Sequence, residues 1–348
     1  MNRRILLSLT AAVVALAAPV AAFAGDLTPA AARAALAALD KGLTGYIDPA
    51  KGEKARAAVR AGRDRYLRLD DRQAFADAVS ADLVAATGDL HLKLRVNTTS
   101  AQVAALSPED EAKLQARLAY GLMTIRRLPG NIGYLKLRNF AADEEGARMI
   151  DAAMLLLKDT DALIIDLREN TGGGGAADER LLGHLSRDPI PMAVIQWREL
   201  DGGFTTMTRQ PSAPAGGPLY ADKPVFLLIA NRTFSAAEEF AYDLQAAKRA
   251  TLVGETSRGG GNPSNRPVDL GAGLSAFVPN GRVTHPTTGG GWEGVGVRPE
   301  VATPPNEALT EAYRRALAVA KPTVSTPKSE KELADARADP RAALDEPL

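Results

Sequence analysis

A serine stands where an apolar run gives way to a helix-forming stretch: Val225 to Glu239 reads VFLLIANRTFSAAEE. A helical N-terminus offers free backbone N–H groups and the positive end of the helix dipole, and both favour negative charge developing near Ser235 Oγ. Ser235 is therefore the candidate nucleophile. The same residues, Ser235-Ala-Ala-Glu238, also spell a capping box, in which a serine only satisfies orphan amides. Taken alone, they leave the two readings balanced.

A second segment, Ala162 to Gly175, reads ALIIDLRENTGGGG. Only glycine lets a backbone curl tightly enough to present successive amides to a bound atom. Gly172, Gly174 and Ala177 also satisfy a dinucleotide fingerprint, with Glu199 at ribose distance, but Arg168 to Thr171 intervene where the turn should follow the strand directly. No GK[ST] follows, which excludes a nucleoside triphosphate loop. A serine nucleophile needs a base. The chain has three histidines: His91, His184 and His285. His184 sits among leucines, His285 precedes Pro286, and His91 falls on the polar face of an alternating strand, so each taken singly reads as structural. Lys248 is flanked by polar residues and reads as solvated. Arg258 cannot act as a base.

The elements that must position these groups follow from periodicity. Residues 26 to 88 read as three helices, with Thr28-Pro29 as one start and Gly88 as a stop. Asp89 to Val96 then alternates apolar and polar residues as a strand. After a connection over 97–127, partly helical, strands at 132–137, 162–167, 192–197, 225–230 and 251–254 alternate with helices at 144–158, 176–185 and after Ser235, which predicts an α/β domain over 128–321. Leu274 to Val278 and Arg282 to His285 flank Pro279-Asn280-Gly281 and predict a hairpin. A last helix covers about 306–321, and the Pro- and charge-rich residues 322–348 predict a disordered tail.

Residues 1–24 have a basic start, a short apolar run and Ala22-Phe23-Ala24, which predicts a cleaved secretory signal and a periplasmic or secreted mature chain not held in a membrane. The 348 residues balance 42 basic against 42 acidic side chains and include no cysteine. No disulfide, thiolate metal site or cysteine nucleophile is available. No basic stripe with interleaved aromatics suggests nucleic acid.

ALIIDLRENTGGGG, then NRTFSAAEEFAYDLQAAKRATLVGETSRGGGNP, then WEGVGVRPEV, in this order, resemble the tail-specific, carboxyl-terminal-processing serine peptidases. The likeness, over about Asp26 to Val301, is to the branch that includes interphotoreceptor retinoid-binding-protein modules and the tricorn core. It implies a ClpP- or crotonase-like α/β core with a small N-terminal helical domain (25–96), Ser235 as nucleophile, and an oxyanion hole from Gly172, Gly173 and Ala236. The family's Ser/Lys branch carries a lysine where this chain reads SRGGGNP. The Ser/His/Glu branch has a D-x-H strand, matched by Asp89-Leu90-His91, and a glutamate matched by Glu293. The resemblance thus implies His91 as base and Glu293 as its orienter, a polypeptide substrate, and neither metal nor organic cofactor. Many members carry a PDZ domain, for which 97–127 is too short. The competing readings are a non-catalytic binding module for a peptide or hydrophobic ligand on the same fold, and a nucleotide-binding oxidoreductase.

Overall fold

The computed structural model describes residues 27–97, 107–322 and 324–345; the leader expected at 1–24 lies outside them. Three helices come first, α1 (Pro29–Leu43), α2 (Pro49–Tyr66) and α3 (Arg72–Thr87). Thr28, Asp48 and Asp71 cap their N-termini by accepting first-turn amides, and Gly88 ends α3 in the left-handed conformation at φ +74°. There follow β1 (Lys93–Val96), α4 (Pro108–Arg117), β2 (Leu122–Leu128), β3 (Ile132–Leu137), α5 (Glu144–Leu157), β4 (Ala162–Asp166) and α6 (Ala176–Leu185). Then come β5 (Val194–Arg198), β6 (Phe204–Met207), β7 (Val225–Ile229), α7 (Ala236–Ala246), β8 (Thr251–Gly254), β9 (Val268–Gly271), β10 (Leu274–Phe277), β11 (Gly281–Thr284) and β12 (Val301–Ala302). The chain closes with α8 (Ala308–Val319), α9 (Pro327–Ala338) and α10 (Pro340–Asp345).

The main sheet has the order β12-β8-β7-β4-β3-β2, parallel throughout except for the antiparallel β2–β3 pair. Every residue of β4 and β7 is buried, as uninterrupted apolar runs require when both faces are covered. One face packs Ile150, Met154, Leu181, Leu185, Phe240 and Leu244 from α5, α6 and α7. The other packs Tyr313, Leu317, Leu333 and Ala343 from α8, α9 and α10. This is the expected α/β architecture.

A separate apolar core joins the three N-terminal helices to strands from far along the chain. Leu39, Tyr46, Phe75 and Leu83 pack with Leu270, Leu274 and Ala276, and β1 pairs with β10 in the order β1-β10-β9.

Four local expectations are corrected. The strand that holds His91 is shorter: pairing starts at Lys93, so His91 lies in the turn before it and is buried, not on a solvated strand face. The 97–127 connection contains most of β2, whose arginines and threonine masked its period. The strands around Asn280-Gly281 form no hairpin, because β10 pairs with β1 and β9 while β11 pairs with β5 in a third sheet, β11-β5-β6. The tail expected to be disordered after Pro322 carries α9 and α10, held by burial of Leu333, Ala336 and Ala343 on the sheet-covering helix layer.

Candidate active site

Since β4 and β7 are adjacent and parallel, the loops leaving their carboxyl ends emerge side by side, the usual place for a site in such a sheet. The glycine run follows β4 and Ser235 follows β7. Thr233 Oγ1 donates to Leu167 O at 2.8 Å, and Phe234 N donates to Asn170 O at 3.1 Å, fastening one loop to the other. Ser235 takes φ +57°, ψ −127°, a left-handed backbone that costs a non-glycine residue about 1–3 kcal/mol. Such a sharp strand-to-helix turn thrusts the side chain outward.

Gly172, Gly173, Gly174 and Gly175 all have φ between +104° and +126°. A Cβ on Gly172 would stand 2.8 Å from Ser235 Cβ, and one on Gly173 would stand 2.2 Å from Phe140 O. The loop therefore presses its backbone directly against the serine, leaving no gap there for a dinucleotide. Gly172 N–H donates to Asn170 Oδ1 at 2.8 Å, Gly174 N–H to Phe140 O at 3.1 Å and Gly175 N–H to Asp178 Oδ1 at 2.6 Å. Among the described residues, Gly173 N–H and the first-turn Ala236 N–H have no acceptor.

The capping-box ambiguity resolves in part. Ser235 Oγ makes no capping hydrogen bond, so the hydroxyl is free. Glu238 does work as a cap, accepting Ser235 N–H at 2.9 Å. The fully buried carboxylate also accepts Ser257 Oγ at 2.6 Å, Gly259 N–H at 2.6 Å and Gly260 N–H at 2.8 Å. It thereby binds the Ser235 turn to the 257–261 loop, a role the sequence showed only as half a capping motif.

That loop carries the histidine's surroundings. Phe234 packs 4.3 Å from the His91 ring centroid, and Phe277 stacks on it at 5.3 Å. His91 is 6% exposed, its N–H donates to Asp89 Oδ1 at 2.9 Å, and Nδ1 is buried without a partner. Burial pushes its pKa down to about 4 against the opposing pull of Asp89. One imidazole nitrogen and one oxygen each from Asp89 and Glu293 lie within 4.8 Å of one another. Asp89 Oδ2 accepts Tyr46 Oη at 2.6 Å and Asn262 Nδ2 at 3.3 Å. Glu293 Oε2 accepts Gly261 N–H at 2.6 Å and Asn262 N–H at 3.0 Å. Burial, then the charge of Asp89, raises the Glu293 pKa to about 7. Three carboxylate oxygens thus hold N–H or O–H donors, which suits an imidazole-orienting pair better than a cation cage.

His91, Gly173, Ser235 and Ala236 line one cleft of about 280 Å³, whose walls also include Ile195, Met207, Pro263, Val283 and Trp292, the glycines of the 173–175 and 260–261 loops, and Arg209 and Glu239. Ser235 Oγ and the His91 ring share the cleft without a hydrogen bond between them, and none joins His91 to Glu293. His285 is not part of this group: Nε2 meets Pro191 O at 3.0 Å and Nδ1 accepts Thr287 N–H at 3.2 Å. His184 Nε2 meets Asp151 Oδ1 at 2.8 Å, between α6 and α5. Glu199 lies at the β5–β6 turn, accepting Thr205 Oγ1 at 2.7 Å. Asp89, Tyr46 and Asn262, joined from three distant segments, escaped sequence reasoning as partners; the Asp-x-His spacing was the one available signal.

Fold and site define the class: an α/β protein presenting a strained serine at a helix N-terminus beside a glycine amide cradle. The model of peptidase family S41 matches residues 131–303, and the chain belongs to that family. It is 28% identical over 165 residues to the chloroplastic carboxyl-terminal-processing peptidase 1 of Arabidopsis thaliana, covering 46% of this chain and 31% of that protein. It is 32% identical over 136 residues to a carboxyl-terminal-processing protease of Synechocystis sp., covering 38% and 29%. The chain thus matches under a third of the length of these relatives. A lipoprotein structure from Streptococcus agalactiae shares the fold, with a TM-score of 0.53 and 17% identity over 83% of this chain and 96% of that one. Among the described residues, no helix is long and apolar enough to cross a membrane.

Proposed function

We propose that this chain is an exported serine endopeptidase that cleaves extended or unfolded polypeptides through an acyl-enzyme. Ser235 Oγ attacks the scissile carbonyl while His91 takes its proton. The oxyanion so formed faces the free N–H groups of Gly173 and Ala236, at the positive end of α7. His91 then delivers the proton to the leaving amine, the C–N bond breaks, and the acyl group remains as an ester on Ser235. A water molecule, deprotonated by His91, hydrolyses that ester and restores the serine. Glu293 orients the imidazole and balances its charge, and Asp89 supports it through the His91 backbone. Gly172, whose amide is engaged by Asn170, shapes the cradle without donating to the oxyanion.

The observation that carries this reading is the presence of a free, strained Ser235 hydroxyl, two unused amides and His91 in one cleft. Resting sites often hold such groups slightly apart and draw them together on substrate binding. A binding module would have no need of the unused amides. The names of the relatives support polypeptide substrates, and the leader-like residues 1–24 support a periplasmic or secreted location. Turnover of unfolded casein and labelling by a serine-directed phosphonate should both vanish in Ser235→Ala. Persistence of either at the parent level refutes the mechanism.

A further inference from the structure

Beside the glycine cradle the cleft is unevenly charged. Arg209 and Glu239 both line it, and Glu239 lies one turn along α7 from Ser235, on the same helical face. Arg209 Nη2 donates to Glu239 Oε1 at 2.5 Å, and Nη1 donates to Asp178 Oδ2 at 3.3 Å and to Glu179 Oε1 at 3.5 Å. One turn further along α7, Asp243 is fully buried, neither of its oxygens accepts a hydrogen bond, and His285 Nε2 stands 3.6 Å from Oδ1. Four carboxyl groups thus gather about a single guanidinium. Burial raises the pKa of all four, and Arg209 opposes the rise in each without cancelling it. Acids buried in this number are costly unless further positive charge reaches them. Glu239 is the member that lines the cleft, so the cleft is the route by which a cation can approach. An anion has less to gain, because Nη1 and Nη2 of Arg209 are engaged and Nε is buried without a partner.

We infer that Glu239 makes the cleft selective for lysine or arginine at the residue whose carbonyl Ser235 attacks. The inference deepens the peptidase reading and rests on it. His91 must hand its proton to the departing amine, so the leaving fragment lies toward the imidazole and the attacked residue toward the cradle. The cradle borders the acids: a Cβ on Gly174 would stand 3.0 Å from Ala236 Cβ and 3.9 Å from Asp178 Oδ1, and Asp178 holds the Gly175 N–H. Met207, Ile195 and Val283 form one cross-strand row over β6, β5 and β11, and Arg209 follows Met207 by two positions. With Trp292, this row offers an apolar wall to the methylenes of a long side chain. Four residues of helix, about 6 Å, put Glu239 within reach of its charged tip.

Fluorescence-quenched peptides would share flanking sequences from an uncharged stretch cleaved in unfolded casein and differ only in the attacked residue: arginine or citrulline, lysine or norleucine, glutamate or glutamine. Citrulline and norleucine keep the stem and lose the charge. Arginine should exceed citrulline, and lysine norleucine, in kcat/KM by about tenfold, the effect of one hydrogen bond to a charged group, with the position of the cut read by mass spectrometry. Glutamate should fall below glutamine. Glu239→Gln should bring both cationic ratios toward one. Glu179→Gln, at the half-buried side of the set, should lower them less, and it decides the matter if Glu239→Gln does not fold. Glu255→Gln, an equal charge change at an exposed position outside the cleft, should leave them in place. Efficient cleavage in the parent with cationic ratios near one, full ratios in a folded Glu239→Gln, or a preference for glutamate over glutamine each overturns the selectivity and spares the peptidase reading. If no peptide is cleaved, the peptidase reading falls, and the affinities of Ser235→Ala for the same peptides decide the selectivity alone by the same ratios.

Discussion

The two halves of the candidate site differ in how completely their local hydrogen bonds are made. On the serine side, Thr233, Asn170, Phe140 and Glu238 tie the strand-ending loops together, and among the described residues the hydroxyl, two backbone amides and the buried Asn170 Nδ2 are left open. On the histidine side, Nδ1 is buried and unpartnered, and neither Ser235 nor Glu293 is bonded to the ring. The serine stands on the main sheet, whereas His91 belongs to the unit built by α1–α3 with β9 and β10, which has its own core. Locking one half and leaving the other poised makes the relation between two cores the variable that sets catalytic register. A displacement of about 1 Å there is worth about 10²-fold in rate.

Removing His91, the proposed base, should have the greatest effect. His91→Ala should lower kcat on unfolded casein by about 10⁴-fold or more, with near-parent far-ultraviolet circular dichroism; a loss under tenfold would mean that another group is the base. A milder strain on the seam comes from Gly260→Ala, whose Cβ would stand 2.1 Å from the Phe234 ring and 2.8 Å from His91 Cε1. By pushing the imidazole from its place it should cost about 10²-fold in kcat, and parent-like kcat would show that the histidine side tolerates displacement.

The pH dependence tests which carboxylate governs the open half. His91 works as a base only when neutral, above its lowered pKa of about 4, and Glu293 carries charge only above its raised pKa of about 7. The acid limb of kcat/KM should therefore lie near pH 7. In Glu293→Gln the plateau should fall and the limb should move toward pH 4; a limb that stays near 7 would transfer the role to another group. The smallest effect is expected from Tyr46→Phe, which deletes one of the donors to Asp89. Unfolding in urea should show a loss of about 2 kcal/mol, with kcat reduced only a few-fold, because Asn262 still holds the same oxygen.

Much of the main sheet was legible because its strands are uninterrupted apolar runs with abrupt polar or glycine ends. The strands Ile132–Leu137 and Thr251–Gly254 and the helix Ala176–Leu185 lie where the pattern puts them. β2 was hidden by Arg126 and Arg127, and α9 and α10 by a composition whose few apolar residues matter only against α8. Asn280-Gly281 carried a true turn signal, yet the strands on either side found partners elsewhere, since turn chemistry bends a chain without choosing what each arm pairs with.

By itself, the sequence determined the alternation of strands and helices, the serine at a helix start, the four-glycine loop and the matches of His91 and Glu293 to a family pattern. Each of these is a local property of residue type and spacing. The third dimension decided which amides remain free, that Glu238 bonds to four donors, and that Asp89, Tyr46 and Asn262 stand behind the imidazole. Those facts depend on contacts between segments up to 173 positions apart, and such contacts are chosen by the burial of whole faces, which no short stretch of sequence contains.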